Sequence, residues 1–383
     1  MKYCQPLYSQ LFQEMASCGG AVPFCRFMEL ALYHPTHGYY MSQKPRIGRE
    51  GDFVTAPELT SIFGELLTLQ CVEIWEQLGC PDRFTVVEMG GGTGRLALDI
   101  LQTARRFPAF LASLAYVLVE ASHDFRARQQ CLLAENGIGS DLITWQTTLP
   151  EEVAAGVIMG NEFLDALPVH WVEMTQDGLR EVGVTQGGAG GVEMVLLEPV
   201  PPLSADYFAS IGIHLEPGYR TEVGLAAAAW MEEAGRVLQR GVVLIVDYGY
   251  LAAEYYAPWR TMGTLVGHRG HERMDDPSGY FGEMDLTAHV DFTAMARAGQ
   301  RAGLSILGYT TQSWFLMGLG ILERLEQVTR NKTHEDASLL REAVMRLLMP
   351  HEMGERFKVL AMGRGMKEGG LSGFRLNDQR QRI

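Results

Sequence analysis

The sequence predicts an α/β fold built on a doubly wound, mostly parallel sheet, and three observations carry that expectation. Short apolar runs (FTVVEM, AYVLVE, LITW, GVIMGNEF and GVVLIVDYG) alternate with helical patterns, as strands of a parallel sheet do when helices make the crossovers. A glycine-rich turn, VVEMGGGTGRLALDI (residues 86–100), joins the first run to the helix after it. Hydrophobic residues make up 47% of the 383 and charged residues 20%, enough apolar side chain for a large core.

The elements follow in order. Ile62, Phe63, Leu66, Leu67, Val72, Ile74, Trp75 and Leu78 recur at helical spacing, so a helix precedes the first strand. Thr55 and Glu58 have capping-box spacing, and Pro57 suits a first turn. Helices are expected over 94–107, 123–135 and 222–239, between the apolar runs. Residues 170–200 alternate around an Asp-Gly turn and read as a β-hairpin insertion. The stretch 250–300 is rich in Gly, Tyr and His and of low regularity, the mark of a functional loop or lid. Helices over 314–348 and a last strand, FKVLAM, complete the pattern. The expected organisation is an N-terminal helical cap segment (1–80), a core domain (81–365) with insertions at 170–220 and 250–300, and a flexible tail (366–383).

A net charge of −14 argues against nonspecific nucleic-acid binding, which needs Lys and Arg to neutralise phosphates. The six cysteines (Cys4, Cys18, Cys25, Cys71, Cys80, Cys131) form no C-x-x-C pair, so neither a disulfide framework nor a zinc knuckle is indicated. The opening residues lack signal-peptide and transit-peptide patterns, and no run of 18 apolar residues occurs. A cytoplasmic protein without a membrane span is expected.

Glycines at the end of a first strand let backbone approach a ligand, and the helix that follows aims free N–H groups at it. A dinucleotide fingerprint would need glycine where Arg95 stands, and a P-loop would need Lys-Ser/Thr after Gly94, where Arg95 and Leu96 stand. What remains is E-x-G-x-G-x-G: Glu88 with Gly90, Gly92 and Gly94. That spacing suits S-adenosylmethionine, which carries no phosphate and asks for backbone donors at its carboxylate and an acid near its amine. Glu88 is placed for the amine, and Glu120, closing AYVLVE, for the ribose hydroxyls.

Other motifs extend the comparison: LALYHPTHGYY (30–40), GDFVTAPELTSIFGE (51–65), EMGGGTGRL (88–96), NEFLDALPV (161–169), VDYG (246–249), GTL (263–265), DLTAHVDF (285–292), TQSWFLMGLGI (311–321) and GERFKV (354–359). With these, in this order, the chain resembles the MidA-type S-adenosylmethionine-dependent methyltransferases. Mitochondrial members of that family act in respiratory complex I assembly by methylating an arginine of a core subunit. The resemblance implies a class I methyltransferase (Rossmann-like) fold, S-adenosylmethionine as cofactor, methyl transfer, and an arginine acceptor on a partner protein such as a respiratory-complex subunit. One local departure is Gly91 and Thr93, where the family commonly has Pro and a basic residue.

Methyl transfer needs nucleophile, methyl carbon and sulfur held in line, without metal. An arginine acceptor is cationic and repels the sulfonium, and carboxylates meet both difficulties by pairing with the guanidinium. Asn161, Glu162 and Asp165 follow the apolar run GVIMG, at the edge where doubly wound sheets bind ligands. Glu162 is the first choice for gripping the acceptor and Asp165 the second, with Asn161 near the cofactor; turn formation and a helix first-turn acid are the bland alternatives. Asp52 and Phe53 are candidates to fold over the cofactor and substrate. His289, with Asp285 and Asp291, is a candidate to line an acceptor tunnel or take the released proton, or else a core or loop-capping group. Gly64 in mid-helix marks a close approach, of packing or of ligand. His34 with His37, and His268 with His271, have metal-like spacing but no accompanying acid or Cys cluster, so no metal is expected.

The function expected is protein arginine methylation, with a homodimer allowed. A nucleic-acid methyltransferase would favour Asn/Asp-Pro-Pro-Tyr/Phe after the fourth strand, where this chain has NEFL. The alternative of another kind is a cofactor-binding assembly factor with little catalytic activity.

Overall fold

Seven strands form the continuous path of the eight-stranded main sheet of the computed structural model, which describes residues 5–42, 54–201, 203–270, 272–366 and 370–383. They are β1 (Phe84–Met89), β2 (Leu114–Val119), β3 (Ile143–Gln146), β4 (Gly156–Asn161), β5 (Gly241–Tyr250), β6 (Ser305–Thr311) and β7 (Phe357–Arg364). Their order across the sheet is β6-β7-β5-β4-β1-β2-β3. The pairs β1–β2, β2–β3, β1–β4 and β4–β5 are parallel, whereas β7 runs antiparallel between β5 and β6. The five parallel strands are the five apolar runs read from the sequence. From β1 the chain winds outward through β2 and β3, then returns on the other side of β1 as β4 and β5. That reversal between β1 and β4 is where a doubly wound sheet binds ligands, outside the carboxyl ends of its strands.

Three helices shape the β1 side: α1 (Ser61–Gln77), α2 (Arg95–Ala104) and α3 (His123–Glu135). The expected cap at Thr55 is corrected. Thr55 precedes only a four-residue helix, Ala56–Leu59, and makes no side-chain cap bond; the extended backbone of Thr60 (φ −163°) then interrupts the chain, and its side chain accepts from Ile62 N to start α1. A Cβ on Gly64 would lie 2.6 Å from Cβ of Asp99, so this glycine exists for the contact between α1 and α2. Val86, Leu118, Met159, Leu244 and Phe315 belong to the core around the sheet.

The compact units cut across the expected segments. Within the described residues, the unit holding the main sheet draws on 47–163, 230–249 and 295–383, and the other on 1–46, 164–229 and 250–294. The expected cap segment is thus divided, with α1 in the sheet unit, and the two insertions join the first residues of the chain. In that second unit the expected hairpin, His170–Thr175 with Gly178–Gln186, is extended to five strands by Ala21–Pro23, Val192–Leu197 and Arg220–Val223. Val172, Phe208 and Tyr255 lie in its core. The stretch read as irregular contains a three-stranded antiparallel sheet of Glu272–Met274, Val266–Arg269 and Asp285–Thr287.

The tail also differs from the loose segment expected. Leu371 and Phe374 are buried, the Phe374 ring lies 5.3 Å from that of Phe315, and Ser372 N donates to Glu73 at 3.0 Å. Among the described residues no helix is long and apolar enough to cross a membrane.

Candidate active site

The bend after β1 is left-handed at three alternate positions: φ is 60° at Gly90, 51° at Gly92 and 87° at Gly94. L side chains disfavour this region, which is why the glycines are spaced by two. Space makes a second demand. A Cβ on Gly90 would sit 3.2 Å from the Phe163 ring, one on Gly91 2.9 Å from the Leu118 side chain, and one on Gly94 3.1 Å from Cγ of Gln129. The bend leads directly into α2, whose first N–H groups have no intrahelical acceptors.

Gln129 on α3 organises this corner, and the sequence reading passed over it. Its Nε2 donates to the carbonyl of Gly92 at 2.9 Å and to Glu120 Oε2 at 3.2 Å, while its Oε1 accepts from Trp145 Nε1 at 3.1 Å. A signal was present: Phe125, Gln129 and Leu133, spaced by four, are the buried face of α3. Glu120 stands at the end of β2 as expected, its other oxygen accepting from Ser122 N at 2.8 Å. Burial pushes its carboxyl above the usual range.

Glu88 has a different setting from the one expected. It is buried within the sheet and accepts from the Tyr116 hydroxyl at 2.5 Å. Burial raises its carboxyl to about 7, against the lowering effect of that hydrogen bond. Glu58, read as half of a capping box, reaches the bend instead: Thr93 Oγ1 donates to its Oε1 at 2.5 Å.

At the carboxyl end of β4, Glu162 is a non-glycine residue at φ 50°. Such strain persists where the surroundings fix it. Here Glu162 N donates to Val246 O on β5 at 2.9 Å, and the following amide, Phe163 N, donates to the buried Asp247 at 3.1 Å. Glu162 Oε1 accepts from Ala56 N at 3.0 Å and Asn161 Nδ2 at 3.2 Å. Asp247, in the VDYG motif, had been given no role.

Asp165, Asp285, His289 and Asp291 belong to the second unit. The Tyr40 hydroxyl donates to Asp285 Oδ1 at 2.7 Å; burial first, then the Asp285 charge, with a smaller contribution from Asp165, holds that hydroxyl well above its ordinary range. Ala288 N donates to the backbone carbonyl of Asp165 at 3.0 Å. His289 N donates to Thr264 Oγ1 at 3.0 Å and its ring lies 5.2 Å from that of Tyr250. Thr264 is in turn gripped by the buried Glu222, which accepts from Thr264 N at 2.9 Å and Leu265 N at 3.0 Å. Asp291 Oδ1 accepts from Thr293 N at 2.9 Å and Ala294 N at 3.1 Å, the pattern of a helix cap. Asp52 and Phe53, like His271, lie outside the described residues.

The first unit therefore gathers Gly90, Gly92, Gly94, Glu120, Asn161 and Glu162 at the carboxyl edge of β1, β2 and β4. These residues fit an S-adenosyl nucleoside. The bend has no lysine for a phosphate, Glu120 is held rigid as an acceptor, and the buried Asn161 Oδ1 has no hydrogen-bond partner among the described residues. The family model of S-adenosyl-L-methionine-dependent methyltransferases (methyltransferase family 28) matches residues 66–310. The chain belongs to this family.

Relatives of this methyltransferase are similar over nearly its whole length. The mitochondrial protein arginine methyltransferase NDUFAF7 homolog of Drosophila melanogaster is 31% identical, covering 91% of this chain and 82% of its own. The mitochondrial protein arginine methyltransferase NDUFAF7 of Homo sapiens is 30% identical over 93% of this chain and 83% of its own. A Burkholderia thailandensis protein crystallised with bound S-adenosyl-homocysteine is 35% identical, with a TM-score of 0.90 over 99% of this chain and 97% of that one. The fold is thus that of a class I methyltransferase, and the cofactor is S-adenosylmethionine. The cytoplasmic location expected from the sequence is contradicted by the relatives' mitochondrial names. That expectation rests on the make-up of the first residues, the scattered cysteines and the lack of a long apolar run, from which no location follows.

Proposed function

We propose that this methyltransferase modifies an arginine side chain of a partner protein, with Glu162 as the carboxylate that holds the acceptor. The single observation behind the assignment is the strained backbone of Glu162 at the end of β4, fixed by Val246 and next to Phe163, whose ring would touch a Cβ on Gly90. Strain of about 1–3 kcal/mol is kept where geometry is needed for function. The names of the relatives favour arginine as acceptor.

When bound, S-adenosylmethionine supplies an electrophilic methyl group. The chain's own residues do the rest. The glycine bend and the start of α2 offer backbone donors to a carboxylate, Glu120 accepts from hydroxyls, and the Asn161 oxygen accepts from an ammonium. The Ala56 amide and the Asn161 carboxamide fix one oxygen of Glu162 and so orient its carboxylate. A guanidinium paired with that carboxylate is held in plane and loses much of its charge repulsion. Asp165, Asp285 and His289, in the other unit, are candidates taken from the sequence motifs alone; Asp291 is better explained as a helix cap. The partner is a protein with an accessible arginine, and a respiratory-complex subunit is the first candidate.

Radiolabelled methyl transfer to extract proteins from a deletion strain tests the reading. Glu162→Gln should lose about 100-fold in labelling while calorimetry shows unchanged cofactor affinity. Labelling that survives in this variant removes Glu162 from the acceptor role. Tight cofactor binding by the wild type with no protein labelled would favour an assembly factor instead.

A further inference from the structure

The second unit brings together a thiol, an imidazole and a carboxylate that methyl transfer does not use. Cys25, His170 and Glu181 are 145 and 11 residues apart along the chain, yet a sulfur, an imidazole nitrogen and a carboxylate oxygen lie within 4.8 Å of one another. Strand pairing explains it. Val172 faces Glu181 across the ladder, so His170, two residues earlier, is on the same face and diagonal to Glu181. Pro23 pairs with Gly183 on the opposite side of the Glu181 strand, and the chain turns at once into the helix Phe24–Tyr33, placing Cys25 in its first turn.

We propose that Cys25 is a nucleophilic thiol that forms mixed disulfides with small-molecule disulfides, activated by His170, which Glu181 positions. The three residues have the three roles such a site requires. Glu181 is fully buried and fixed on both oxygens: Oε1 lies 2.6 Å from His170 Nδ1, and Oε2 accepts from Val200 N at 3.2 Å. That orients the ring. The sulfur lies within 4.8 Å of the imidazole and the carboxylate, and although burial alone would lower the imidazole, Cys25 and Glu181 together hold it up to about 9. A neighbouring cation and a helix first turn are the surroundings in which a cysteine sulfur serves as a nucleophile. Cys25 is half-buried and so remains within reach of a small reagent.

A metal centre fits the same residues less well. Nitrogen and oxygen bonded to one zinc ion at about 2.0–2.1 Å in tetrahedral geometry stand roughly 3.3 Å apart. His170 and Glu181 are closer than that, at ion-pair distance.

The chemistry balances without a further oxidant. The Cys25 proton leaves to solvent as the His170 cation steadies the sulfur; the sulfur attacks one sulfur of the disulfide; a new S–S bond forms as the reagent's own breaks; and the leaving thiolate takes a proton from solvent. Thiol and disulfide become mixed disulfide and thiol.

The test is a time course of the full chain with oxidised glutathione at neutral pH, followed by peptide mass mapping. Cys18 and Cys80 are exposed and serve as internal references, so accessibility works against the proposal; Cys131 donates to Glu135, which raises its thiol, and is not a reference. Cys25 should be modified about tenfold faster than the references, since the neighbouring His170 cation assists its attack. His170→Gln should abolish that advantage, and Glu181→Gln reduce it. Modification of Cys25 no faster than the references overturns the proposal without any variant. A folded His170→Gln protein that reacts at the wild-type rate overturns it too, as does stoichiometric zinc retained by the wild type and lost in Cys25→Ser.

Discussion

Gln129 Nε2 donates to the carbonyl of Gly92 at 2.9 Å, tying the middle of α3 to the centre of the glycine bend. The same amide group reaches Glu120, so the bend and the acid are set relative to each other by one side chain. Gln129→Leu keeps the volume and removes the amide, leaving Glu120 and Trp145 Nε1 without this partner. Stability should fall by about 1–3 kcal/mol. Cofactor affinity, measured by calorimetry on folded material, should fall about tenfold, because donors and acceptor are no longer preorganised. Unchanged affinity would show that Gln129 only packs.

Thr93 and Glu58 form a second support for the bend. Removing the hydroxyl with Thr93→Val should lower the urea midpoint by an amount equal to about 1 kcal/mol and weaken cofactor binding. Thr93→Ser, which keeps the donor, should restore affinity. If Thr93→Val binds as the wild type does and Thr93→Ser binds poorly, the methyl group and not the hydrogen bond matters.

Glu88 makes apo-protein stability depend on pH. Its carboxyl lies at about 7 in the fold against 4.5 in the ordinary state, so the folded protein binds the extra proton in between. The favourable contribution is complete below pH 4.5 and is lost as pH rises through 7. Glu88→Gln cannot ionise. Relative to this variant, the wild type should lose on the order of 3 kcal/mol between pH 4.5 and 8 in urea unfolding; parallel profiles would contradict the assignment.

Gly64→Ala places a methyl group against Asp99. Overpacking of this kind should cost about 1–3 kcal/mol. Affinity for the cofactor, counted per folded molecule, should hold. A selective loss of affinity would restore the ligand reading of Gly64 that the structure sets aside.

Much of this arrangement is legible in the sequence because it is local. Parallel strands buried on both faces must be apolar along their length, which is how β1, β2 and β4 declare themselves. Left-handed backbone after β1 must be glycine, which is how Gly90, Gly92 and Gly94 do. What escapes is nonlocal. Pairing of Ala21–Pro23 with residues near Gly183 is written in backbone hydrogen bonds, which any sequence can make, so the second unit could not be seen in its three separate pieces. Thr55, Pro57 and Glu58 carry a correct local signal for a helix start, yet Glu58 is taken by Thr93, a residue 35 positions on. Phe374, in a polar tail, is anchored by a ring on a different helix. Gln129 was legible and missed, since a polar residue on an apolar face is the informative exception.

The acceptor itself can be read directly. Proteins from wild-type cells and from a strain lacking this chain, compared by mass spectrometry of intact methylated peptides, report the residue modified. A protein carrying methylarginine in the wild type and unmodified arginine in the deletion strain, restored by the wild-type chain but not by Glu162→Gln, is the expected result. Methylation lost from a residue other than arginine, or arginine methylation restored equally by both chains, would contradict it.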